Sequence, residues 1–177
     1  FSMDGDEANI KDLVVLAGKS KAMLMIDDAH GMGVLGESGA GLIEKYGLSQ
    51  QQVPILMATF GKALGTSGAF VAGSEELIET LIQKARTYIF TTAMPAAVMA
   101  ATRESLKIAQ QETWRRDKLT SLVVRFRRGA EQFGLSLMPS ETPIQPVILG
   151  SNSAVLSASS YLKEKGILVG AIGHPTV

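Results

Sequence analysis

Met57-Ala-Thr-Phe-Gly-Lys62-Ala-Leu-Gly-Thr-Ser-Gly-Ala-Phe-Val-Ala-Gly73 is the stretch on which the reading of this chain turns. Ile55 to Ala58 is an apolar run that reads as a short buried strand ending at Thr59. Lys62 then sits among Gly61, Ala63, Gly65 and Gly68, and a second apolar run, Ala69 to Ala72, follows at once. Neighbours this small leave the ammonium surrounded by backbone and let a flat ring approach it. Burying an unpaired ammonium is expensive and lowers its pKa. A neutral amine in that setting is the nucleophile that Schiff-base chemistry requires. Thr59, at the strand end, offers a hydroxyl to a phosphate. Taken alone, the pattern also suits a glycine-rich turn with a solvated lysine, so the flanking segments decide.

Composition narrows the field. The 177 residues suit one domain, or one domain and part of another, and 46% hydrophobic content is ample for a packed core. Lys+Arg and Asp+Glu both total 17, so the formal net charge is zero, which argues against a nucleic-acid or polybasic membrane surface. No apolar run approaches the length of a membrane span. The absence of cysteine excludes disulfides, thiolate metal sites and cysteine nucleophiles. His30 and His174 are too few for a histidine-rich metal site. Phe1 is neither an initiator nor the start of a signal peptide, and both ends read as cut rather than finished.

In chain order, Asn9 to Lys19 suits an amphipathic helix, with Ile10, Leu13, Val14 and Leu16-Ala17 apolar. Ala22-Met-Leu-Met-Ile26 reads as a strand buried on both faces of a parallel sheet, with Met23, Met25 and Met57 as core filler. It delivers Asp27-Asp28-Ala29-His30 at its C-terminal end, where open α/β sheets place ligands. Gly31, Gly33, Gly36, Gly39 and Gly41 mark a loop passing close to something, and Leu42 to Tyr46 begins a short helix. Ser74 is an N-cap for a helix over Glu75 to Arg86. Tyr88 to Thr92 reads as a strand, and Pro95 opens a helix reaching about Gln111. A second helix runs from Glu112 to Phe133, its Arg115-Arg116 and Arg125 to Arg128 clusters read as a solvated face. Gln145 to Leu149 and Ile167 to Ile172 read as strands around a helix over Ser153 to Lys165. The alternation predicts an α/β fold. The domain boundary is placed near Gln110 to Thr113, giving units 1–110 and 111–177.

Four positions converge on one chemistry: Ser2, Asp27, His30 and Lys62. A pyridoxal phosphate site needs a carboxylate to keep the pyridine nitrogen protonated, a donor at the phenolic oxygen, a lysine and phosphate-binding hydroxyls. Asp27 or Asp28 equally suits a cap on the following loop. The chain resembles the α-oxoamine synthases, which are fold-type I pyridoxal phosphate enzymes. The resemblance rests on Phe1 to Asp6, Asp27 to Gly36, Glu37 to Gly41, Thr59 to Gly65, Phe90 to Pro95 and Ala171 to Val177, in fixed order.

The resemblance implies part of a larger α/β enzyme: a mostly parallel sheet flanked by helices, then part of a smaller α/β C-terminal domain. It implies a cytoplasmic homodimer with sites at the interface. Lys62 would carry the Schiff base and move protons at the substrate's α-carbon, and Asp27 would pair with the pyridine nitrogen. His30 and Ser2 would bond the phenolic oxygen. Thr59 would bind the phosphate, with Thr91 or Thr92 from the other subunit, and Thr176 would contact substrate. The implied reaction condenses L-alanine with a pimeloyl thioester, on coenzyme A or a carrier protein, with loss of CO2, in biotin biosynthesis. Glycine-using sisters (glycine C-acetyltransferase, 5-aminolevulinate synthase) and a non-catalytic remnant are the alternatives. The family's glycine-rich phosphate loop and ring-stacking histidine would precede Phe1, so a fragment of this extent is expected to be inactive alone. Gly173 stands where the family usually has an arginine for the substrate carboxylate, and glycine cannot make that bidentate contact.

Overall fold

In the computed structural model, which describes residues 1–173, the chain forms two compact units. Phe1 and Glu7–Thr120 make up the first; Ser2–Asp6 join residues from Ser121 onward in the second. The first opens with α1 (Ile10–Ser20), β1 (Met25–Asp27) and α2 (Leu42–Tyr46). Next come β2 (Ile55–Thr59), β3 (Ala69–Ala72), α3 (Glu75–Lys84), α4 (Arg86–Ile89) and α5 (Ala96–Gln111). The division falls within α6 (Trp114–Gln132), and the second unit continues to α7 (Asn152–Glu164). The expected boundary at Gln110 to Thr113 lies at the break between α5 and α6, ahead of that division.

The sheet is mixed, in the order β1-β2-β3. β1 and β2 are parallel, with Asp27 opposite Met57; β2 and β3 are antiparallel, with Thr59 opposite Ala69. A parallel pair needs a crossover of a dozen or more residues. The glycine-rich loop and α2 supply it. The core of this unit is Ile10, Ile26, Leu42 and Val53, with Ala8, Val14, Leu24, Leu35, Ile43, Tyr46, Leu48 and Leu56 packed against it. One residue each from α1, β1, α2 and the turn before β2 therefore holds the crossover against the sheet. Ser74 caps α3 as expected, its hydroxyl accepting from the Leu77 amide at 3.3 Å.

In the second unit, Ser140 is 1% exposed, and its hydroxyl donates to the Gly5 carbonyl at 2.8 Å. Thr142 donates to the same carbonyl at 2.9 Å. The N-terminal turn is thereby held by residues far away in sequence. Arg127 donates to the Met138 and Ser140 carbonyls at 3.0 and 2.9 Å, so it braces a loop rather than lining a solvated face.

Several expectations are corrected. Arg86–Ile89 is helical, because the Tyr88 and Ile89 amides both bond the Ala85 carbonyl; aromatic and β-branched content favours a strand only where a neighbour can pair. Gln145 to Leu149 makes a single antiparallel bridge, Leu137 with Val147, and Ile167 to Ile172 has no ladder. β1 is not buried on both faces: Ile26 is buried, whereas Met25 is 55% and Met23 76% exposed. Those two methionines do not fill the core; Met57 is half-buried.

Ile10 is 2% exposed at the centre of the core, so Ile10→Ala removes three buried carbons where α1 meets the sheet. The expected loss is about 3 kcal/mol by denaturant titration of the intact protein. A loss below about 1 kcal/mol would show that the site repacks freely.

Candidate active site

Because β1 and β2 run parallel, their C-terminal ends lie at one edge of the sheet. Asp27 is the last residue of β1 and Thr59 the last of β2, each followed three residues later by a functional candidate, His30 and Lys62. Asp27 is exposed, and its Oδ1 accepts from the Ala29 amide at 2.9 Å, an Asx turn just before His30. His30 titrates below its usual range. Partial burial is the main cause, and the charge of Lys62 acts in the same direction, against Asp27. The imidazole is therefore neutral at neutral pH and within the field of both Lys62 and Asp27. Asp27, His30 and Lys62 thus share one locale.

The lysine loop is closed by its own backbone. The Phe60 amide bonds the Gly68 carbonyl, the Thr66 amide the Phe60 carbonyl and the Gly65 amide the Lys62 carbonyl, each at 2.9 Å. Phe60 and Phe70 stack beneath it with centroids 5.4 Å apart. Lys62 itself is exposed, which corrects the expected burial of its ammonium; glycine and alanine neighbours are too small to cover a four-carbon side chain. The Thr59 hydroxyl donates to the Gly68 carbonyl at 2.9 Å and accepts from the Gly61 amide at 3.2 Å. Its one proton is thus engaged within the loop.

The glycine-rich loop passes close to two things. One is the lysine loop: a Cβ on Gly33 would lie 2.9 Å from the Ala63 methyl. The other is the Asp28 carboxylate, 2% exposed, which accepts from the Leu42 amide at 2.7 Å through Oδ2. A Cβ on Gly31 or Gly41 would fall 2.1 or 1.9 Å from its oxygens, so only glycine fits at either place. Gly41, the residue before α2, has no side chain to cap the helix, and Asp28 does so from across the loop. Burial pushes the Asp28 carboxyl up to about 6, with Asp27 and Glu7 adding to the rise and the Leu42 and Gly31 amides opposing it. Glu44 braces the outer turn, accepting from the Ser38 and Ala40 amides at 3.0 Å, bonds that hold its carboxyl below the usual range. Arg116 is buried and donates to the Glu37 carbonyl at 2.6 Å, correcting its reading as part of a solvated face.

The remaining candidates fall elsewhere. Ser2 is exposed and belongs to the second unit. Thr91 bonds back to the Thr87 carbonyl, and Thr92 is exposed beyond it. Thr176 and His174 lie outside the described residues. Gly173 abuts Asn152, whose Oδ1 would sit 2.2 Å from an added Cβ, so an arginine there requires Asn152 to turn away.

An acid, an imidazole and a lysine at the C-terminal edge of a parallel strand pair define the class: α/β proteins with a lysine-centred site. The chain belongs to the aminotransferase class I and II family, whose model matches residues 1–177. Over all 177 residues it is 60% identical to the 8-amino-7-oxononanoate synthase of Thioalkalivibrio sulfidiphilus and 58% to that of Nitrosococcus oceani, covering 45% and 47% of their lengths. It thus spans less than half of each. Solved structures that match it at 30% identity include Sphingomonas wittichii serine palmitoyltransferase, with a TM-score of 0.94 over 100% of this chain and 45% of that one, and the Francisella tularensis 8-amino-7-oxononanoate synthase, with 0.88 over 99% and 52%.

Asp28 gives a pH signature. A carboxyl raised to about 6 in the fold, against 3.8 unperturbed, stabilises the fold most below pH 4, and that contribution is lost as pH rises through 6. The melting temperature of the wild type relative to Asp28→Asn should therefore fall between pH 4 and pH 7. A difference constant across that range would show that Asp28 does not titrate there.

Proposed function

We propose that this chain is the central and later part of a pyridoxal phosphate-dependent α-oxoamine synthase that condenses L-alanine with a pimeloyl thioester to 8-amino-7-oxononanoate. The observation that carries the reading is the meeting of Asp27, His30 and Lys62 at one sheet edge, with His30 feeling the charges of the other two. Identities of 60% and 58% to synthases of that name support the substrate assignment.

The residues present suit the cofactor. Asp27 presents a solvent-facing carboxylate for the pyridine nitrogen, and neutral His30 offers a ring nitrogen to the phenolic oxygen. Lys62 stands clear of any ion pair with either and is free to reach a carbonyl carbon. Thr59 would serve the phosphate by exchanging its bond to the Gly68 carbonyl, while its contact with the Gly61 amide stays. Ser2 would add a hydroxyl at the phenolic oxygen, Thr91 or Thr92 would reach the phosphate across a homodimer interface, and Thr176 would contact substrate. Residues 1–110 would then be the later portion of the cofactor domain and 111–177 part of the smaller one.

When bound, the cofactor supplies an electron sink that stabilises negative charge at the substrate's α-carbon. Asp27 would hold a proton on the ring nitrogen and so keep that sink effective. Lys62 would hold the cofactor and would take and return the proton at the substrate's α-carbon. His30 would bond the phenolic oxygen and help to orient the ring. Pimeloyl-CoA or a pimeloyl carrier protein would supply the acyl group, in the cytoplasm.

Turnover of the intact protein separates the readings. L-alanine with pimeloyl thioester should yield CO2 and the oxoamine product, whereas glycine with acetyl or succinyl thioester should yield little. Lys62→Ala should abolish both the product and the cofactor's visible absorbance. Exclusive use of glycine would overturn the substrate assignment, and a folded intact protein with no such absorbance would favour the remnant.

A further inference from the structure

Lys62 is followed and preceded by backbone that α5 holds from behind. Thr102, in the middle of α5, is 4% exposed. Its hydroxyl lies 2.9 Å from the Thr66 hydroxyl and 2.8 Å from the Val98 carbonyl. The Thr66 hydroxyl in turn reaches the Phe60 carbonyl at 3.3 Å, the atom that also receives the Thr66 amide. One turn along the same face, Ser105 donates to the Leu64 carbonyl at 2.6 Å, and Leu64 is 5% exposed. Phe60 and Leu64 stand two residues before and two after Lys62. The Leu64 carbonyl is therefore tied to α5 directly by Ser105, and the Phe60 carbonyl through the relay of two hydroxyls, Thr66 and Thr102, when Thr102 directs its one proton to Thr66 rather than to Val98.

Threonine and serine are unfavourable inside a helix, where their hydroxyls compete with backbone bonding. Two of them three residues apart, on one face and aimed at one loop, put that cost to use. Neither lies in the motifs around Asp27 or Lys62. We propose that Thr102 and Ser105 are positioning residues: they fix the Lys62 loop through Thr66 and the Leu64 carbonyl, and so set the lysine's angle of approach. This rests on the catalytic reading of Lys62 above, although the loop's tethering can be measured without it. Glycine at 61 and 65 gives the loop no stiffness of its own, and its internal bonds close the turn without attaching it to the rest of the fold. The hydroxyls on α5 supply that attachment.

Thr102→Val keeps the side chain's shape and removes the hydroxyl, whereas Thr102→Ser keeps the hydroxyl. Two readouts apply to the intact protein. Amide exchange at Thr66 and Gly65 should accelerate about fivefold in Thr102→Val and remain near wild type in Thr102→Ser, as loss of one hydrogen bond implies. With pyridoxal phosphate added, Thr102→Val should lower kcat on the order of tenfold with little change in KM for L-alanine, because a misaimed group costs rate more than binding. It should also shift the pH at which the cofactor's absorbance titrates, and Thr102→Ser should restore both. If Thr102→Val does not fold, Ser105→Ala carries the same test with a smaller change, read at Gly65. Equal exchange in Thr102→Val and Thr102→Ser, or a fall in melting temperature with exchange, kcat and titration unchanged, would overturn the proposal. A wild type without cofactor absorbance would defeat the catalytic reading of Lys62, and the exchange rates would still decide the tether.

Discussion

The bond from the Leu42 amide to the buried carboxylate of Asp28 is the contact on which the site depends. It spans the whole glycine-rich crossover in one step, from the end of β1 to the start of α2. A carboxylate so shielded from water is costly unless its oxygens are bonded. Bonds from the Leu42 and Gly31 amides offset part of that cost, burial still holding the carboxyl up at about 6, and the absence of side chains at Gly31 and Gly41 makes room for it. With the crossover folded tightly around Asp28, β2 is brought parallel to β1, Gly33 meets Ala63, and the residues after each strand share an edge. Replacing either glycine by alanine would drive a methyl into the carboxylate, which no small adjustment of backbone relieves.

The proposed site divides between two kinds of residue. Asp27, His30 and Lys62 are exposed and lie at or just beyond the C-terminal ends of β1 and β2. Asp28, Thr102 and Ser105 lie behind them, buried or half-buried, and hold the backbone from which the first three project. His30 is held below its usual range first by partial burial and then by the charge of Lys62, neither of which its own local sequence dictates, with Asp27 opposing. The second unit has its own anchor in Ser140, Thr142 and Gly5, again a small polar cluster bonding a backbone carbonyl.

Much of this was legible from residue pattern. β2, β3, α2 and the start of α5 fall where apolar runs meet glycine or proline, because those residues impose boundaries whatever the tertiary context. Strands that need a neighbour were less legible: Tyr88 to Thr92, Gln145 to Leu149 and Ile167 to Ile172 have strand-like composition and no ladder to join. Asp27 and Asp28 were indistinguishable by type, yet the strand pleat separates them. With Ile26 inward, Asp27 must point out and Asp28 in, which is the burial seen. Lys62 was expected to be buried because it lies between two apolar, strand-like runs; the small residues beside it leave it exposed. Arg116 and Thr102 had no signal at all, since the partners that matter, the Glu37 carbonyl and the Thr66 hydroxyl, are remote in sequence.

The most direct test of the account is chemical trapping of the lysine. The intact protein, mixed with pyridoxal phosphate, is reduced with borohydride, digested and mapped by mass spectrometry. The cofactor's mass should appear on the peptide carrying Lys62, and Asp27→Asn should retain the adduct, since on the proposed reading Asp27 would tune the ring and not form the bond. Adducts spread over several lysines, or concentrated on one other than Lys62, would contradict the assignment of this loop as the centre of the site.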